Sequence, residues 1–129
     1  MFTTKTMATS AFSNKLDNIK INIADTNTPA LALVAAVSRE RGLEHWRLYD
    51  FSLNADRYME FLDGVAADHP EGNVAIFMDN LRVHHSKKVT AHLKTLNMAA
   101  IFNVPYSPEY NPIEIFWSGI KHNYKKLRL

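Results

Sequence analysis

The chain has no cysteine, which excludes disulfides and thiolate metal sites. It has no apolar run able to span a bilayer: stretches such as Ala30 to Val37 fall far short of the about 20 residues a spanning helix needs. It has no internal repeat and no low-complexity linker. The first sixteen residues contain neither aspartate nor glutamate, and no arginine. They are rich in Ser, Thr and Met and hold Lys5 and Lys15. Without arginine or an amphipathic pattern they do not suit a transit peptide, and 1–16 reads as a disordered arm. Acid is also missing from Ile115 to Leu129, where Lys121, Lys125, Lys126 and Arg128 stand. Such a basic tail is either a solvated helix end favoured by the helix dipole or a phosphate-contacting surface. The net charge of +2 is too mild to decide.

What is present fits one soluble domain of 129 residues, 47% apolar and 22% charged. Ile19 to Ile23 alternate as a half-buried strand does, and Asp25 to Pro29 form a turn by composition. Leu31 to Ser38 read as a buried strand, although its alanines also allow a helix. Arg41-Gly42 then turns the chain, and His45 to Tyr49 return as the second strand of an antiparallel hairpin. Asn54 caps a helix with Tyr58, Phe61, Leu62 and Val65 at helical spacing. Val74 to Met78 is a continuous apolar strand of the kind buried on both faces. Ser86 caps a helix carrying Val89, Leu93 and Leu96, and Ala99 to Val104 is another short strand. Asn111 as cap and Pro112 at the first helical position start a last helix. Its apolar stripe is Ile113, Phe116, Ile120, Tyr124 and Leu127; a second stripe is Glu114, Ser118, Lys121, Lys125 and Arg128. The order predicts an α/β domain with a mixed sheet.

Two carboxylates stand out, with 34 residues between them. Asp79 sits where an apolar strand reaches the sheet rim, the place where ligands of open α/β sheets gather. It equally suits the start of an ordinary turn. Glu114 lies three residues after Asn111, the spacing of a capping box, and that role requires no metal. As a pair bordering one sheet, the two acids suit a hard divalent cation. His84-His85 lack a third partner at zinc-ligand spacing. Tyr106, Tyr110 and Trp117 suit either base stacking or the edge of a core.

Taken together, Phe77-Met78-Asp79-Asn80, His84-His85-Ser86-Lys87, Val104-Pro105-Tyr106-Ser107-Pro108, Asn111-Pro112-Ile113-Glu114, Trp117 and Lys121 resemble the DDE superfamily endonuclease domain. The likeness is to the Tc1/mariner and IS630 transposases, over about residues 20 to 127. It implies an RNase H-like mixed sheet flanked by helices over 17–129, truncated at its N-terminus. It implies two Mg²⁺ (or Mn²⁺) ions, with Asp79 and Glu114 as catalytic metal ligands, and DNA cleavage and joining in transposition. It further implies double-stranded DNA as partner, both transposon ends and target, contacted by His85, Lys121, Lys125 and Arg128. A homo-oligomer or a full-length transposase is the expected protein partner. The expected location is the nucleus in a eukaryote and otherwise the cytoplasm, without secretion or a membrane role. The family's first acid lies on a central strand ahead of the segment matching Leu31 to Ser38, and the family's helix-turn-helix region has no counterpart here. Asp17 and Asp25 are the nearest acids. If Ile19 to Ala24 fill the central strand, Asp25 supplies the first carboxylate; otherwise activity is weak or absent. The competing expectation is a non-catalytic, domesticated module that binds DNA or oligomerises.

Overall fold

A computed structural model describes residues 5–13, 31–50 and 52–127. The strand expected at Ile19 to Ala24, the turn after it, Asp17, Asp25 and Arg128 lie outside these residues. Five strands form one mixed sheet in the order β3-β2-β1-β4-β5. They are β1 (Lys5–Ser13), β2 (Leu31–Ser38), β3 (Gly42–Asp50), β4 (Val74–Met78) and β5 (Ala99–Phe102). Three helices join them: α1 (Ala55–Asp68), α2 (Lys87–Thr95) and α3 (Ile113–Leu127). Pairing is antiparallel for β1–β2 and β2–β3, and parallel for β1–β4 and β4–β5.

The central strand corrects the sequence expectation twice. Residues 5–13, expected in a disordered arm, form β1, paired on both sides. The slot between β2 and β4 is therefore not filled by Ile19 to Ala24, and the placement of Asp25 that depended on it does not hold. The reason is tertiary: Lys5 to Ser13 mix strand-favouring Thr and Phe with Ser, Ala and Lys and show no clear alternation, and two neighbouring ladders supply what the local pattern lacks.

The remaining elements follow from local chemistry. Leu31–Ser38 is a strand because it is covered on both faces; Ala32, Val34, Ala35 and Ala36 are all essentially inaccessible. Gly42 opens β3 with φ +72°, a left-handed conformation that favours glycine, and Ser38 Oγ accepts from Arg41 N–H at 3.1 Å across the turn. Asn54 Oδ1 accepts from Arg57 N–H at 2.9 Å to start α1, and Ser86 Oγ from Val89 N–H at 3.3 Å to start α2.

One face of the sheet packs under α1 and α2, joining Val34, Ala36, Ile76 and Met78 to Tyr58, Phe61, Leu62, Val65, Val89 and Leu93. The other face packs under α3, where Ala35, Ile113 and Trp117 are buried against Leu33, Val37, Phe77, Phe116 and Ile120. Each Val, Leu, Ile, Phe or Met among them that is fully buried contributes about 1.5–3 kcal/mol of transfer free energy, and the alanines less. Beyond α3 on this second face, Leu43, Trp46 and Leu48 of edge strand β3 stay exposed.

Candidate active site at the carboxyl ends of the parallel strands

Asp79 leaves β4 at its carboxyl end, and Glu114 stands in the first turn of α3. Both line one cleft of about 170 Å³, with Asn80, Asn103, Val104, Tyr106, Ser107, Pro108 and Asn111. The two acids singled out in the sequence are thus brought together.

Asp79 is held from within. Its Oδ1 lies 2.9 Å from His84 Nδ1 and accepts from Leu81 N–H at 3.3 Å. The same Nδ1 lies 3.1 Å from the Asp79 carbonyl oxygen. Two acceptors facing one ring nitrogen place the proton on Nδ1. The ring is fully buried, 4.5 Å from the Tyr58 ring, and its Nε2 has no hydrogen-bond partner among the described residues. His84 is therefore a positioning residue for Asp79. Its neighbour His85 is exposed, contacts Asn80 Oδ1 at 3.0 Å and stacks on Phe102 at 4.1 Å.

Glu114 is not engaged as a capping-box residue. The Asn111 N–H that such a glutamate would accept is donated to the Pro108 carbonyl at 2.9 Å. The cap itself is present, since Asn111 Oδ1 accepts from Ile113 N–H at 3.4 Å. A short 3-10 turn over Pro108–Tyr110 precedes it.

A residue that the sequence did not mark ties the two halves together. Asn103 is buried at the end of β5, and its N–H donates to the Met78 carbonyl at 2.8 Å. Its Nδ2 donates to Ser107 O at 2.7 Å, its Oδ1 accepts from Val104 N–H at 2.8 Å, and its carbonyl accepts from Asn80 Nδ2 at 2.7 Å. This clamp fixes the turn carrying Glu114 to the strand end carrying Asp79. Its only signal in the sequence is an asparagine closing an apolar strand.

Of the aromatics, Trp117 belongs to the core, whereas Tyr106 and Tyr110 are exposed. Tyr106 adopts φ +57°, a conformation that costs a non-glycine residue on the order of 1–3 kcal/mol, at the wall of the cleft. Lys121 is exposed on α3, Lys87 is exposed at the start of α2, and Arg82, a cation not singled out from the sequence, is exposed on the loop after Asp79. Lys125 lies on α3.

The resemblance implies a two-cation centre at this cleft. Asp79 and Glu114 offer hard oxygen ligands, but the strand beside β4 is Lys-Thr-Met-Ala-Thr-Ser-Ala-Phe-Ser and carries no carboxylate. Among the described residues no group of three or more His, Asp or Glu is arranged to hold a metal ion. The donor set that the described residues offer does not fit a pair of divalent cations.

Sheet order, flanking helices and cleft position define an RNase H-like domain, and its similarity to solved transposase domains shows the same fold. The chain belongs to the DDE superfamily endonucleases, whose family profile matches residues 1–129. The match thus includes the first sixteen residues. No curated protein sequence matches the chain. Among solved structures it is similar to the Mos1 transposase catalytic domain with raltegravir and Mg, at TM-score 0.73 and 18% identity, over 92% of this chain and 60% of that one. It is similar to the Mos1 paired-end complex with the left transposon end, at 0.72 and 18%, over 95% and 42%. A simian T-cell lymphotropic virus intasome, in complex with the PP2A regulatory subunit B56 gamma, matches at 0.70 and 15%, over 96% and 41%. The chain spans about 60% of the length of the Mos1 catalytic domain.

Proposed function

We propose that this is a transposase-derived endonuclease and strand-transferase domain of the Tc1/mariner and IS630 type, acting on DNA in transposition. The observation that carries this reading is the convergence of Asp79 and Glu114 on one cleft at the carboxyl ends of the parallel strands. A divalent cation, Mg²⁺ or Mn²⁺, supplies nucleophile activation and leaving-group stabilisation in such chemistry. Among the described residues, Asp79, steadied by His84, and Glu114 are those that would be available to it. Double-stranded DNA approaches along Glu114, Ser118, Lys121, Lys125 and Arg128, with His85, Tyr106 and Tyr110 at the rim. The Mos1 structures with transposon ends support this partner. A nuclear location in a eukaryote, and a cytoplasmic one otherwise, follows from a DNA substrate. The protein partner is a second copy or a full-length transposase.

One observation favours a second reading. With no carboxylate on β1, strand cleavage by this chain alone is weak or absent, and the domain serves as a DNA-binding or oligomerising module. Plasmid nicking in Mg²⁺ or Mn²⁺ separates the two readings. Metal-dependent nicking abolished by Asp79→Ala supports the enzyme, and nicking that survives the substitution removes Asp79 from the site. DNA retention without nicking supports the module. Its affinity is expected to fall steeply with salt, by about 0.9 log unit per log unit of salt for each phosphate contact. A flat salt response contradicts phosphate contacts.

A further inference from the structure

The parallel register locates the defect in the carboxylate set. Thr9 pairs with Met78, so the next position on β1, Ser10, falls abreast of Asp79. The antiparallel register agrees on the face: Ser10 pairs with Ala35, which packs beneath Ile113 and Trp117 of α3. Asp79 alternates with Phe77, which lies on that face too. Position 10 is therefore on the sheet face that α3 covers, one strand from Asp79, and neighbouring strands are about 4.8 Å apart. A carboxylate there shares a cation with Asp79 readily, since paired metals themselves lie about 4 Å apart. Ala8 shares the face but lies two residues, about 6.6 Å, back along the strand. The rest of the cleft is built: Asp79 is oriented, the Glu114 turn is clamped and Asn111 caps its helix.

We infer that Ser10 occupies the position of the missing carboxylate, and that an acidic side chain at this single position completes a divalent-cation site with Asp79 and Glu114 that the described residues of the natural chain do not form. This rests on reading Asp79 and Glu114 as metal ligands, so the test reads metal without DNA.

Mn²⁺ binding to the full chain is measured by calorimetry and electron paramagnetic resonance for the natural protein, Ser10→Asn, Ser10→Asp and Ala8→Asp. Ser10→Asp is expected to bind Mn²⁺ at least tenfold more tightly than the natural chain and Ser10→Asn, and to lose that gain on adding Asp79→Asn or Glu114→Gln. If Ala8→Asp gives the larger gain, the assignment to position 10 is overturned. Tight Mn²⁺ binding by the natural chain, abolished by Asp79→Asn, also overturns it, because a third ligand then comes from elsewhere. A gain in Ser10→Asp that ignores both Asp79→Asn and Glu114→Gln refutes the metal reading of that pair.

Should like charges keep Ser10→Asp from folding, Ser10→Cys places a neutral thiol, the only one in the chain, at the same position. Cd²⁺ is then expected to give a thiolate charge-transfer band that weakens with Asp79→Asn; a band indifferent to Asp79 overturns the assignment. Metal-free DNA retention by the same proteins is measured separately, and its failure contradicts the DNA reading while leaving the metal result standing.

Discussion

Replacing Asn103 by alanine tests whether the cleft is held by one buried clamp. The substitution removes the Nδ2 bond to Ser107 O at 2.7 Å and the Oδ1 bond from Val104 N–H at 2.8 Å. Each is worth about 0.5–1.5 kcal/mol net, and a group left unpaired and buried costs about 1–3 kcal/mol. Val104 is exposed and Ser107 half-buried, so water recovers part of the loss. The sum is about 2–3 kcal/mol. For a domain of 129 residues, between the sizes with known scaling, this corresponds to a fall in Tm of about 6–15 °C. Thermal unfolding by circular dichroism reads it directly. A second readout is specific to the clamp: in the Ser10→Asp background, Asn103→Ala should erase most of the gain in Mn²⁺ affinity, because Glu114 is no longer tied to the end of β4. By contrast Asn80→Ala, which removes one bond to the Asn103 carbonyl, should cost only about 0.5–1.5 kcal/mol. A Tm for Asn103→Ala within about 2 °C of the natural protein refutes the clamp.

His84→Ala should destabilise by about 3–5 kcal/mol, through the cavity beside Tyr58 and the lost bond to Asp79, measured by urea unfolding. His84→Phe should refold the packing to within about 1 kcal/mol, since it also removes the unpartnered Nε2, yet abolish the Mn²⁺ gain in Ser10→Asp. Gly64→Ala offers up to about 1 kcal/mol of helix propensity, but its Cβ would stand 2.3 Å from His45 Nε2. The displaced ring gives up Asp68 at 2.7 Å and its contact with Phe61, so a net loss of about 1–2 kcal/mol is expected by urea unfolding. In a His45→Ala background the same substitution should stabilise.

Most of the framework was legible because its signals are local. Asn54 and Ser86 announce their helices by capping, and apolar spacing marks Tyr58, Phe61, Leu62 and Val65 as core. Asp79 and Glu114 could be read as a pair because strand exits and helix starts place side chains at the rim. What stayed hidden is non-local. Nothing in Lys5 to Ser13 reports that two ladders await it, so the strand that fills the middle of the sheet reads as an arm. Asn103 and His84 acquire their roles only when β5 lies beside β4 and the loop after Asp79 folds back under it. Trp117, three residues from Glu114, reads equally as a base-stacking surface until α3 is seen to turn it onto Ala35.

Because Lys5 pairs with Val74 and Ser13 with Ala32, β1 is needed on both sides before the sheet is continuous. The β1–β2–β3 part can associate early, but β4 and β5 attach only after α1 has been laid down between them. Such long-range parallel pairing makes folding slow for a domain of this size and exposes unpaired strand edges meanwhile. During synthesis the chain waits with β1 half-paired until residues 74–78 emerge. A nascent domain paused before that point presents a ready surface for another copy's β4, so strand exchange between neighbouring nascent chains is the misassembly to which this topology is most open.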